Sequence, residues 1–304
     1  MTDNIDFFED ELKNFEDIAR YIKPSSGEIP ELQGIDIYGD TISLNGIVGG
    51  DHVIYVDFKK RYDLDKRILD SIVVNRTDVA EKLKQNKTKA GILIADVSGH
   101  KITDALLAAM LHQSFLIGVM YELKQNGQVT TELFENINSR FYSSSSFSKF
   151  ITMIYGEISE NGMFRFTNAG HPNPAVFSNK YDKLMEVSQK RVIHFPPIGT
   201  LPSREDIDFR KNLTSIGYKK KYSINEINLM GAGDILLLYT DGLSEHDTNM
   251  GDLYFPEKLE IILKKVKKDN AKDIFNQIID DMLKFNKFSD DVSIVVIKKN
   301  CDIY

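Results

Sequence analysis

The chain has 304 residues, 42% of them hydrophobic, with 38 Lys and Arg against 45 Asp and Glu for a net charge of −7. That length and composition suit a globular protein with one large domain or two small ones, and the acidic balance speaks against a nucleic-acid binder, which would show a basic face. The single cysteine, Cys301, excludes an intrachain disulfide framework and a thiolate metal cluster, and it fits a reducing compartment.

No run approaches the ~20 apolar residues of a transmembrane helix, and the acidic N-terminus lacks a signal pattern, so a cytoplasmic, membrane-free protein is expected. In chain order, residues 4–22 set Phe8, Leu12, Phe15, Ile18 and Ile22 on one stripe of an amphipathic helix, which Pro24-Ser25-Ser26-Gly27 ends. Such a narrow terminal stripe serves either packing on its own domain or a homodimer contact. Residues 35–57 read as two strands with Gly49-Gly50-Asp51 between or within them. Residues 59–90 turn basic and take helical spacing around Ile68, Leu69, Ile72 and Val73. This predicts a helical insertion that projects from the sheet with a solvated, basic face.

The run Gly91–Ala95 predicts a buried strand with Asp96 at its C-terminal end, followed by Val97-Ser98-Gly99-His100. A long Ala- and Leu-rich helix is predicted from about Thr103 to Leu123, and a second from Thr131 to about Phe141. A hairpin follows around Glu160-Asn161-Gly162, then Asn168-Ala169-Gly170-His171-Pro172 and a short strand at Val176-Phe177. Residues 178–230 show no clear pattern. Ile235–Tyr239 reads as another buried strand ending at Thr240-Asp241-Gly242, and helices are predicted over 256–267 and 271–285. A last strand begins at Val292, directly after Asp290-Asp291. Hairpins grouped together and helices arriving in pairs predict an α+β fold. Residues 1–33 are expected to form a helix and connector, and 34–304 one domain carrying the insertion near 59–90.

Asp51, Asp96, Asp241 and Asp290 each stand where a strand meets a turn. Any one alone is also what a turn or a helix cap looks like. Together at one site they would repel and require cations or protons, and two divalent ions balance four carboxylates. All-oxygen ligands select Mg²⁺ or Mn²⁺ over zinc, and a pair of such ions activates water for attack on a phosphoryl group. No side chain is then needed as nucleophile or base.

Five motifs carry a family resemblance: Gly49-Gly50-Asp51, Asp96-Val97-Ser98-Gly99-His100, Asn168-Ala169-Gly170-His171-Pro172, Tyr239-Thr240-Asp241-Gly242-Leu243-Ser244-Glu245 and Asp290-Asp291-Val292-Ser293. In order and spacing, from about Gly34 to Ile297, the chain resembles the SpoIIE/RsbU-like phosphatases of the PPM (type 2C) class. The resemblance implies a central antiparallel β-sandwich flanked by helices on both sides, with a binuclear Mn²⁺ or Mg²⁺ site at one end. It also implies Asp51 and Asp96 as ligands bridging or flanking the ions, the Val97 carbonyl as a backbone ligand, and Asp241 and Asp290 on the other ion. Asp291 is expected to cap or support this set, with His100 and Lys101 as further supporting neighbours. The chain departs from the family pattern at Asp57, at Lys101 where a second glycine is common, and in the 59–90 insertion, which stands in for a short hairpin. His100 and His171 read as structural hydrogen-bonding histidines and Asn168 and Asn173 as loop organisers.

The activity implied is a metal-dependent serine/threonine phosphoprotein phosphatase acting on an anti-sigma-factor antagonist in bacterial partner switching. The alternative is a pseudophosphatase that sequesters a phosphoprotein, which would be expected to lose ligands; all four carboxylates are present. An aspartyl-nucleophile phosphohydrolase built on Asp96 is disfavoured because Ser98 stands where a general-acid Asp is wanted. With only the first ~33 residues ahead of the domain, regulation is expected from the helix, the insertion or a separate regulatory protein.

Overall fold

The apolar runs at 52–57, 89–97, 235–239 and 292–299 form strands covered on both faces, which is why they lack the alternation of half-exposed strands. They belong to two five-stranded sheets in a computed structural model. It describes residues 13–14, 28–44, 49–98, 102–144, 149–185, 187, 192–207, 209–211, 214–228, 231–248 and 250–300. The predicted N-terminal stripe, Phe8 to Ile22, lies outside the described residues, as do His100 and Lys101.

One sheet runs β1 (Ile35–Ile42), β10 (Val292–Lys299), β9 (Ile235–Tyr239), β6 (Ala175–Ser178) and β7 (Lys183–Met185). The other runs β2 (His52–Asp57), β3 (Lys89–Val97), β4 (Ile151–Ser159), β5 (Met163–Ala169) and β8 (Asn225–Asn228). Every pairing among these strands is antiparallel. Successive side chains divide by parity. Ile92, Ile94, Leu236, Leu238, Val295 and Ile297 fill the space between the sheets. Leu93, Ala95 and Val97 face outward under one helical layer, and Ile235, Leu237, Ile294 and Val296 under the other. The result is the helix-flanked β-sandwich that the resemblance implies.

The first helical layer holds α1 (Phe58–Arg61), α2 (Leu64–Val73), α3 (Thr77–Gln85), α4 (Ile102–Asn126) and α5 (Thr131–Ser144). The second holds α7 (Glu257–Val266) and α8 (Ala271–Phe285), while the single turn α6 (Asp241–Ser244) follows β9 directly. The Asn270 side chain caps α8 by accepting from the Asp273 amide, and Ile274, Ile278 and Met282 bury its inner face.

Two sequence expectations are corrected here. The insertion does not project from the sheet: Phe58, Leu64, Ile68, Val79, Ala80 and Leu83 enter the same core as α4 and the outer face of β2 and β3. Leu64, Ile68, Val79, Ala80 and Leu83 form the buried face of the α2–α3 hairpin, whereas Leu69, Ile72, Val73 and Val74 stay exposed on its other side. Nor does every segment fall short of membrane-spanning length and apolarity, since Asp104–Asn126 of α4 passes on both counts. In the fold, Ala108, Leu111, Phe115, Val119 and Leu123 lock one face of that helix beneath the sheet, the pattern of a core helix.

The unpatterned stretch 178–230 is tied down by polar contacts rather than periodicity. Buried Lys219 donates to both Glu135 oxygens at 2.9 Å, and the Tyr222 amide donates to the same carboxylate at 2.6 Å. The Lys219 ammonium also lies 3.5 Å from the Tyr222 ring centroid. Glu135→Leu strands this buried cation and is expected to destabilise the protein by roughly 3–5 kcal/mol in chemical denaturation. Adding Lys219→Met is expected to restore most of the loss.

Candidate metal centre

Antiparallel pairing brings the C-terminal ends of β3 and β9 and the N-terminal ends of β2 and β10 to one end of the sandwich. Register pairs His52 with Ala95 and Tyr239 with Ile294. A hydrogen bond joins the two sheets there: the hydroxyl of fully buried Thr240 donates to Asp51 Oδ2 at 2.6 Å. Thr240 Oγ1 in turn accepts from the Ser293 amide at 3.0 Å, and Ser293 Oγ lies 2.6 Å from Thr41 Oγ1. Asp291 clamps the facing loop, accepting from the Leu44 amide at 2.7 Å and the Gly50 amide at 2.8 Å. A Cβ at Gly49 would overlap the Asp291 carboxylate, and one at Gly242 would overlap the Asp291 carbonyl oxygen. That close approach is the physical reason for glycine at both positions.

The remaining carboxylates surround this frame. Asp96 is half-buried at the penultimate position of β3, and buried Val97 donates its amide to the Gly50 carbonyl at 3.2 Å. Asp241 opens α6 and Asp290 accepts from the Asp291 amide at 2.6 Å, both half-buried. Burial and the neighbouring Asp96 charge hold Asp51 well above the usual carboxylate range, against hydrogen bonds from Thr240 and Ser293. Burial, followed by the charges of Asp241, Asp290, Asp291 and Asp104, pushes Asp96 up to about 7. These carboxylates therefore sense one another across four segments of the chain.

Among the described residues no three His, Cys, Asp or Glu side chains stand as a ready-made ligand cage. The donor set nevertheless fits a hard divalent cation in its chemistry. It is entirely oxygen, and the burial and mutual repulsion that raise Asp51 and Asp96 are what such a cation offsets.

A family model described as Stage II sporulation protein E (SpoIIE) matches residues 86–300. The chain belongs to the SpoIIE family. Phosphoserine phosphatase RsbU of Bacillus subtilis (strain 168) is 23% identical over 219 residues, covering 71% of this chain and 57% of that protein. Phosphoserine phosphatase RsbP of the same organism is 30% identical over 158 residues, covering 51% of this chain and 33% of that protein. The chain thus spans little more than half of one curated relative and a third of the other. The SiaA-PP2C domain of Pseudomonas aeruginosa superposes with a TM-score of 0.61 at 14% identity, covering 98% of this chain and 99% of that one. That likeness establishes the type 2C fold. The SpoIIE match begins at Asn86, so Asp51 and the α2–α3 hairpin precede it.

Several residues of this SpoIIE-family chain fall outside the carboxylate cluster. Asp57 lies at the far end of β2, where it caps α1 through the Lys60 amide at 3.2 Å and accepts from the Glu31 amide at 3.1 Å. His171 pairs through Nδ1 with Thr152 Oγ1 at 2.9 Å, and Asn168 bonds both the amide and the carbonyl of His171. Burial pushes the His171 imidazole down to about 3. It stays neutral and braces Thr152, the register partner of Asp96.

Three partners escaped the sequence. Thr240 and Ser293 sit inside the quoted motifs, but only the fold shows the hydroxyl reaching Asp51. Lys149 donates to the Ser98 carbonyl at 2.8 Å and pairs at 2.5 Å with fully buried Asp104, and nothing in its local sequence marks it.

Two outcomes are expected. A carboxyl raised to about 7 when folded, against near 4 when unfolded, binds a proton that the unfolded chain has lost. Metal-free protein should therefore lose roughly 2–4 kcal/mol as pH rises from about 4 through 7. Calorimetry in EDTA should show Asp96→Asn flattening that slope and raising Tm at neutral pH. Thr240→Val removes the donor to Asp51 and is expected to weaken Mn²⁺ affinity about 10- to 100-fold, with Thr240→Ser restoring it.

Proposed function

We propose that this chain is a metal-dependent phosphoprotein phosphatase acting on phosphoserine or phosphothreonine. The observation that carries the proposal is the convergence of Asp51, Asp96, Asp241 and Asp290 at one end of a type 2C sandwich, with Asp51 and Asp96 raised by burial and by their neighbours. These four side chains, with the Val97 carbonyl, would hold two Mg²⁺ or Mn²⁺ ions. Such ions, when bound, supply Lewis acidity toward phosphoryl oxygens and lower the pKa of water.

The chain's own residues supply position. Thr240 fixes the oxygen of Asp51, and Asp291 holds the Gly49-Gly50 turn against α6 and β10 by accepting backbone amides. Asp291 therefore supports the ligands rather than joining them. Lys149 grips the Ser98 carbonyl beside Val97, so the backbone at the end of β3 is held from both sides. Neutral His171 orients Thr152 and offers no acidic proton near neutral pH.

The names of the RsbU and RsbP relatives support a phosphoserine substrate. By the same resemblance, the partner is a phosphorylated anti-sigma-factor antagonist in cytoplasmic partner switching. The stripe from Phe8 to Ile22 would serve as a homodimer contact or as the seat of a regulatory protein.

Purified protein is expected to release phosphate from a phosphoserine antagonist only with added Mn²⁺ or Mg²⁺, and EDTA should stop the release. Asp96→Asn and Asp241→Asn should bring turnover to background. Undiminished turnover in either variant would overturn the two-metal assignment. Tight binding of the phosphoprotein without phosphate release would instead identify a sequestering module.

A further inference from the structure

The α2–α3 hairpin and the C-terminal end of α4 line an open cavity of about 550 Å³, the size of a small-molecule site. We propose that it binds a small phosphorylated ring compound, a nucleotide in chemical class. The floor is apolar: Leu83 and Leu123 are fully buried, and half-buried Tyr62 presents its ring. Over that ring lies the Arg67 guanidinium, 5.3 Å from the centroid. A guanidinium lying on an aromatic ring can stack its outer plane on a planar ligand and hold a phosphate in two-point contact.

The walls are basic. Arg61, Lys66, Arg67, Arg76 and Lys124 face the cavity against Asp63 and Asp70, a local charge of 5 − 2 = +3 in a chain of net −7. Several of these groups already have work to do. Asp63 caps α2 by accepting from the Lys66 amide at 2.9 Å, and Arg61 pairs with Glu28 at 3.2 Å. Arg76 donates to the Lys124 carbonyl at 3.1 Å and to the Gln125 carbonyl, closing the C-terminus of α4. The ammonium groups of Lys66 and Lys124 have no carboxylate partner among the described residues. An exposed basic helix needs no concavity and no apolar floor, so a merely solvated face does not account for the arrangement.

The cavity is distinct from the carboxylates. Tyr62 follows α1 beyond Asp57, at the end of β2 opposite Asp51, and the strand between spans roughly 20 Å. The inference therefore stands independently of the proposed phosphatase activity.

The test is calorimetric titration of the full chain in EDTA with the four ribonucleoside 5′-monophosphates, their nucleosides and inorganic phosphate. At least one monophosphate is expected to bind with Kd below about 1 mM, and about tenfold or more tighter than its nucleoside or inorganic phosphate. Lys66→Glu/Lys124→Glu changes two exposed side chains and should weaken that binding about tenfold or more with an unchanged melting curve. No monophosphate binding below about 1 mM would overturn the proposal. So would equal binding of inorganic phosphate, or binding unchanged in the double variant.

Discussion

Repulsion among carboxylates at the open end of the sandwich is the constraint on which the rest of the site depends. Asp51 is buried beside Asp96, and burying like charges together is unfavourable unless hydrogen bonds or cations offset it. The chain offsets one side of the cluster with donors whose positions are fixed by the sheets. Thr240 serves Asp51, and the Leu44 and Gly50 amides serve Asp291. Asp96, Asp241 and Asp290 are half-buried and keep access to solvent. One wall is thus held by hydrogen bonds from donors anchored in the sheets, and the other lies open to solvent. That division suits a site where an arriving cation completes the electrostatics without building the frame.

The frame and the core are the same object. β2, β3, β9 and β10 supply the apolar contents of the sandwich and deliver the acidic residues at their ends. Side chains alternate along each strand, so a one-residue slip in the β3–β4 or β9–β10 register would turn the core faces outward. The same slip would separate Asp96 from Thr152 and lift Thr240 away from Ser293. Burial of the parity-sorted aliphatic residues therefore pins the site geometry, and a neutral replacement at Asp96 can relieve charge without loosening the strands.

What was legible in the sequence follows from this. Local patterns carry period and polarity, so the buried strands, the paired helices at 257–266 and 271–285, and the acidic strand ends could all be read from them. Contacts between distant segments carry no local pattern. The hydroxyl of Thr240 meets a carboxylate 189 positions earlier, and the carbonyl that Lys149 holds lies 51 positions back. The hairpin α2–α3 was legible as helix, but its basic residues suggested a solvated projection. Only the packing of Leu64, Ile68 and Leu83 against the sheet layer shows where its other face goes. Residues 178–230 escaped because an ion pair and short bridges, rather than a repeating apolar face, hold them.

Helix α4 links the two ends of the molecule. It is 25 residues long, roughly 37 Å of rigid rod. Arg76 closes its C-terminus beside the basic cavity, while Asp104 in its first turn is ion-paired to Lys149, which also holds Ser98 next to Val97. Contiguity of this kind is a route and not yet a coupling. Coupling requires that α4 take two arrangements that a ligand in the cavity and a cation at the carboxylates favour unequally. The ion pair of buried Asp104 with half-buried Lys149 is the contact whose making or breaking would distinguish two such arrangements. It is a charged link between the helical layer and the backbone that ends β3, and its Asp104 side is fully buried.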